Sequence, residues 1–167
     1  AENQTSIGTV TTTDPDSSSV SYRISLGGIE INQDGVLSFF SSPDYETQNT
    51  YTATVTATDT SSNSSTQNIT VNVTNVNDVA PVFTSSATFS AAENQTTIGT
   101  VTATDVDSSS LAFSVSGSDL SITSGGALSF ASAPDYETKS SYSATVSVTD
   151  GSFTTTQSIT VNVTDVR

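Results

Sequence analysis

Residues 51–59 read Tyr51-Thr52-Ala53-Thr54-Val55-Thr56-Ala57-Thr58-Asp59, and residues 142–150 read Tyr142-Ser143-Ala144-Thr145-Val146-Ser147-Val148-Thr149-Asp150. In both, apolar side chains alternate with serine or threonine. A period of two sends successive side chains to opposite faces, so each stretch predicts a strand with one buried and one polar face. The alternation returns at Ile69, Val71 and Val73, at Ile159, Val161 and Val163, and at Leu111, Phe113 and Val115. Asp34-Gly35, Gly125-Gly126 and Asp150-Gly151 punctuate the runs as turns. No segment carries a helical period. About seven short strands per 90 residues, with regular turns, predict an all-β chain of Greek-key, immunoglobulin-like β-sandwiches.

The two opening stretches belong to a longer repeat. Residues 1–59 align without a gap on residues 92–150, and 34 of the 59 pairs are identical. The offset of 91 falls to 90 after Asp59, which predicts a surface hairpin at residues 60–65. Two domains are expected, 1–77 and 78–167, joined by a polar linker over about 75–81. Residue 1 enters at the equivalent of Ala92, so the first domain is expected to lack the opening strand that Val82-Phe83 through Phe89 gives the second. The chain reads as a piece of something longer.

Of the 167 residues, 17 are acidic and only Arg23, Lys139 and Arg167 are basic, for a net charge of -14. That balance excludes nucleic-acid partners, whose phosphates need cations, and disfavours anionic membrane surfaces. No apolar run is long enough to insert into a membrane. Fourteen of the acids sit in the repeated motifs or the linker, leaving Glu30, Asp34 and Asp119 outside. Solubility alone would not require such placement. Without cysteine, small extracellular domains need another staple, and a bound metal is one. Calcium takes six to eight oxygen ligands, more than one domain edge commonly supplies, whereas two edges and a linker can.

The motifs, in order and twice over, resemble tandem cadherin repeats of a large bacterial surface adhesin, and the resemblance spans essentially the whole chain. The x-Glu-Asn motif stands at Glu2 and Glu93. Asp-x-Asp stands at Asp14-Pro15-Asp16 and Asp105-Val106-Asp107. Asp-x-Glu stands at Asp44-Tyr45-Glu46 and Asp135-Tyr136-Glu137. The later strand-closing aspartate is Asp59 or Asp150, and Asn75 to Pro81 approximates the linker. The resemblance implies a calcium junction of Glu2, Asp44 and Glu46 from the first repeat, Asn77 and Asp78 from the linker, and Asp105, Asp107 and Asp150 from the second. Seven carboxylates there carry about -7 against +6 for three calcium ions, so like charges would splay the hinge without metal and lock it with metal. Asn75 replaces the family's first linker aspartate and is a doubtful ligand. Val79 stands where the family ligates through a carbonyl. Asp14, Asp16 and Asp59 form a half-site for an upstream junction, and Glu93, Asp135, Glu137 and Asp165 one for a downstream junction. Tyr45 and Tyr136 read as core anchors rather than ligands.

The implied function is a calcium-stiffened structural and adhesive region, extracellular or at the cell surface. Its partners would be neighbouring repeats of the same chain and a cell-surface or carbohydrate target, and the isolated piece is expected to be a monomer. Two alternatives stay open: a module binding carbohydrate or a protein ligand, and calcium-dependent self-association. An EF-hand is excluded, because Asp14-Pro15-Asp16 lacks the glycine and glutamate of that loop. With no histidine or cysteine and no nucleophile elbow or phosphate loop, the chain does not read as an enzyme.

Overall fold

The computed structural model describes residues 1–17 and 19–166. The chain divides into two compact units, Ala1–Val76 and Asn77–Arg167, called here repeat 1 and repeat 2.

Repeat 1 contains β1 (Ser6–Thr9), β2 (Val20–Ile24), β3 (Ile29–Ile31), β4 (Val36–Phe39), β5 (Thr50–Asp59) and β6 (Ser64–Asn72). They form two antiparallel sheets, β1-β4-β3 and β2-β5-β6. Because β2 leaves the sheet of β1 and β4, the chain crosses between layers in the Greek-key manner. The alternating residues supply the core: Ile29, Leu37, Phe39, Ala53 and Val73 are buried together. Tyr51 meets Phe39 edge-on at 4.9 Å between ring centres, the arrangement that ring quadrupoles favour. The β5–β6 turn is a surface hairpin with Ser62 at φ 70, at the expected place.

Repeat 2 contains β7 (Val82–Phe83), β8 (Thr88–Ala92), β9 (Thr97–Thr100), β10 (Ala103–Thr104), β11 (Ala112–Val115), β12 (Leu120–Ile122), β13 (Ala127–Phe130), β14 (Ser141–Thr149) and β15 (Thr154–Thr164). Its sheets are β11-β14-β15-β8, β12-β13-β9 and the pair β10-β7. The expected single opening strand is two. β7 pairs antiparallel with β10, and β8 runs parallel to β15 in another sheet, so the chain changes layer between Phe83 and Thr88. The core holds Val101, Leu120, Leu128, Phe130, Val146, Ile159, Val161 and Val163.

Gly35 and Gly126 close equivalent turns with φ of 79° and 91°. A Cβ there would strike the carbonyl oxygen of Val10 or Val101, so both turns require glycine. The paired tyrosines part company. Tyr45 packs against the core of repeat 1, as expected, whereas Tyr136 is 39% exposed and is no core anchor.

Candidate metal centre

The x-Glu-Asn motif has a local cause in each repeat. Asn3 and Asn94 hold φ of 61° and 62°, a left-handed conformation that asparagine tolerates. Their N–H groups donate to Pro43 and Pro134 carbonyls at 3.0 Å. This turn drives the preceding glutamates inward, leaving Glu2 3% and Glu93 8% exposed. Glu2 Oε2 accepts from Tyr45 N at 2.8 Å and Oε1 from Val76 N at 2.5 Å. Glu93 repeats this with Tyr136 N at 3.0 Å and Val166 N at 2.9 Å. Those two N–H groups hold the Glu93 carboxyl below the usual carboxylate range, against the opposing effect of burial.

Asp44 Oδ1 accepts from Glu46 N at 3.0 Å and Oδ2 from Thr47 Oγ1 at 2.8 Å, a local loop that turns Glu46 toward Glu2. Carboxylate oxygens of Glu2, Asp44 and Glu46 come within 4.8 Å of one another. In repeat 2 Asp135 makes the same loop, and Glu93, Glu137 and Asp165 come within 4.8 Å. Thr47 and Thr138 hydroxyls are the leading reason that the Asp44 and Asp135 carboxyls lie below their usual range. Asn75 stands at the Asp165 position of repeat 1, is exposed, and adds no charge.

The opposite end of each repeat gathers the other acids. Asp14 Oδ1 accepts from the N–H groups of Asp16 and Ser17 at 3.1 and 3.2 Å. The Asp16 side chain is the leading reason that Asp14 sits below its usual pKa, and Asp14 in turn pushes Asp16 up. Asp14 and Asp59 line one cavity of about 210 Å³. Asp59 is capped on both oxygens by Asn63, through N at 2.7 Å and Nδ2 at 2.8 Å. Asn63 lies in the segment that differs in length between repeats, so no repeated motif marks it.

In repeat 2, Asp105 Oδ1 accepts from Asp107 N at 2.8 Å and Ser108 N at 2.9 Å. Asp107 Oδ2 accepts from Asp78 N at 3.0 Å and Val79 N at 2.7 Å, fastening the linker expected at 75–81 to the Asp-x-Asp loop. Asp150 Oδ1 accepts from Ser152 N and Phe153 N, each at 2.7 Å. The Phe153 N–H is the leading cause of a lowered Asp150 pKa, opposed by desolvation; Ser152 N–H and the adjacent Asn77 and Asp105 side chains add to the lowering. Each carboxylate is thus aimed by backbone donors on one oxygen. Asn77 Oδ1, Asp105 Oδ2 and Asp150 Oδ2 are buried with no hydrogen-bond partner. Buried oxygens without a donor are costly and rare in proteins. An all-oxygen set lacking nitrogen and sulfur ligands suits a hard cation such as calcium, so these residues fit the metal that the motifs imply.

The chain resembles known proteins in sequence and in fold. Residues 1–74 match the family described as Cadherin domain, and residues 77–164 match the family described as Bacterial Ig domain. Chicken VE-cadherin EC1-2 is similar in structure at 21% identity and a TM-score of 0.73, over 96% of this chain and 91% of that one. Human protocadherin-24 EC1-2 is similar at 20% identity and a TM-score of 0.80, over 98% and 90%. The human desmocollin-1 ectodomain is similar at 21% identity and a TM-score of 0.79, over 99% of this chain and 39% of that one. At such identities the likeness is one of fold. No curated protein matches the chain. Cadherin domains are in general adhesive, calcium-binding, extracellular repeats that associate with neighbouring repeats or homophilic partners. The chain belongs to the bacterial Ig domain family through residues 77–164 and is a tandem of cadherin-like repeats, the first of which matches the Cadherin domain.

Proposed function

We propose that this chain is a calcium-binding stretch of an extended extracellular adhesin. In this reading calcium is shared by Glu2, Asp44 and Glu46 of repeat 1, the linker residues Asn77 and Asp78, and Asp105, Asp107 and Asp150 of repeat 2. The observation that carries it is the set of buried, donorless oxygens on Asn77, Asp105 and Asp150. The metal would neutralise the crowded carboxylates and stiffen the hinge between repeats. Asp14, Asp16 and Asp59, with Glu93, Asp135, Glu137 and Asp165, are proposed as half-sites for neighbouring repeats. Cadherin-like domains are typically non-enzymatic, and we assign no catalytic role.

Calorimetric titration of calcium into the chelator-stripped chain tests the reading. Two or three saturable sites are expected, with at least one lost in the near-isosteric Asp150→Asn variant. A flat titration, or sites unaffected by Asp150→Asn and Asp105→Asn together, would remove calcium from the account.

A further inference from the structure

Repeat 1 carries a surface feature that the metal reading does not use. Leu26 is 95% exposed and Phe40 66% exposed. Both line a groove of about 390 Å³ with Tyr22, Ile24, Arg23 and Glu30, beside β2 and β3. Exposed large apolar groups clustered in one groove lower solubility and mark interaction surfaces. The fold does not require them. At the equivalent places repeat 2 has Ser114 for Arg23, Gly117 for Leu26, Ser121 for Glu30 and Ala131 for Phe40. Of the eleven residues from Val20 to Glu30, only Ser25 has an identical counterpart, Ser116. The two repeats, so similar elsewhere, diverge most where the groove is built.

The charges say what the groove fits. Arg23 is the only cation before residue 139. Among the described residues the only ion pair is Lys139–Asp119, so neither Arg23 nor Glu30 has an ion partner there; Glu30 Oε1 accepts from Ser38 Oγ at 2.9 Å. One cation and one anion on the same apolar groove are complementary to a copy of themselves under a two-fold axis.

We propose that this groove is a self-docking surface for a second copy of the chain. Leu26 and Phe40 of each copy pack on the other, and Arg23 of each faces Glu30 of the other. The surface is small against the roughly 800 Å² per partner of a stable complex, so the association is weak. Long-range repulsion between the acidic chains opposes it, and raising salt to about 0.15 M, where the Debye length is about 8 Å, strengthens it. The proposal does not depend on calcium.

Sedimentation equilibrium of the full chain, in chelator and at concentrations up to about 1 mM, tests this without involving the metal sites. A monomer–dimer equilibrium is expected. Leu26→Gly with Phe40→Ala, residues that repeat 2 already carries in this fold, should raise Kd about tenfold or more. Arg23→Glu and Glu30→Arg should each weaken the dimer, and the two together should restore it. A single monomeric species throughout would overturn the proposal. So would a dimer unchanged by Leu26→Gly with Phe40→Ala, or charge reversals that fail to rescue one another.

Discussion

Strands β6 and β15 have nearly the same sequence and different surroundings. Residues 66–74 differ from residues 156–164 only at Asn68, where repeat 2 has Ser158. Yet Ile159 is 1% and Val161 0% exposed, while Ile69 and Val71 are only half-buried. The cause is β8, which pairs parallel with β15 from Thr88 to Ala92 and places Ala91 and Phe89 over the core. Among the described residues β6 pairs with β5 alone. An apolar pattern marks which face of a strand can be buried. How far it is buried depends on a neighbour distant in sequence, as Thr88 of β8 is from its partner Thr160 of β15.

Cutting back the equivalent isoleucines breaks this comparison most sharply. Ile159→Ala should cost repeat 2 about 3–4 kcal/mol, and Ile69→Ala should cost repeat 1 about 1–2 kcal/mol, because a half-exposed site leaves less of a cavity. Amide hydrogen exchange followed by NMR reads the two repeats separately; equal losses would refute the part assigned to β8. The glycine turns should behave alike instead. Gly35→Ala and Gly126→Ala should each lower stability by about 1–3 kcal/mol, since both have positive φ and both abut a carbonyl. Chemical denaturation of the two variants should therefore give similar midpoint shifts.

The smallest effect is expected where repeat 2 has a feature of its own. Lys139 Nζ donates to Asp119 Oδ2 at 2.7 Å and stands 4.2 Å from the centre of the Tyr142 ring. Repeat 1 has Gln48, Gly28 and Tyr51 there. Both charged groups are about half exposed, so Lys139→Gln should cost under about 1 kcal/mol. A melting-temperature change of several degrees would show that the contact matters more than its exposure allows.

Much of this was legible in the sequence, for physical reasons. Alternation in β5 and β14 fixed the inward set, because a one-residue slip would bury the threonines. Asp-Gly and Gly-Gly marked turns that only glycine can make. The motif glutamates were legible as a repeated pair, but their nearly complete burial was not, since it follows from the left-handed Asn3 and Asn94. Three things were hidden. The division of the opening segment into β7 and β8 depends on which sheet each half joins. The Asn63 cap lies in the one stretch where the repeats differ in length. Tyr136 shares its motif with Tyr45 yet remains exposed, and nothing within the motif distinguishes them.

The parallel pairing of β8 and β15 also bears on how a tethered repeat carries tension. Force on repeat 2 enters from its Asn77 end, reaches β8, and leaves through the far end of β15. Because the two strands run in the same direction, that pull slides one along the other. Their five paired positions, from Thr88 with Thr160 to Ala92 with Thr164, are then loaded together in shear rather than peeled apart one at a time. Antiparallel partners such as β14 and β15 meet end to end at a hairpin and offer no such arrangement. Pulled from its two ends, repeat 2 would be loaded in shear at the same strand that seals its core.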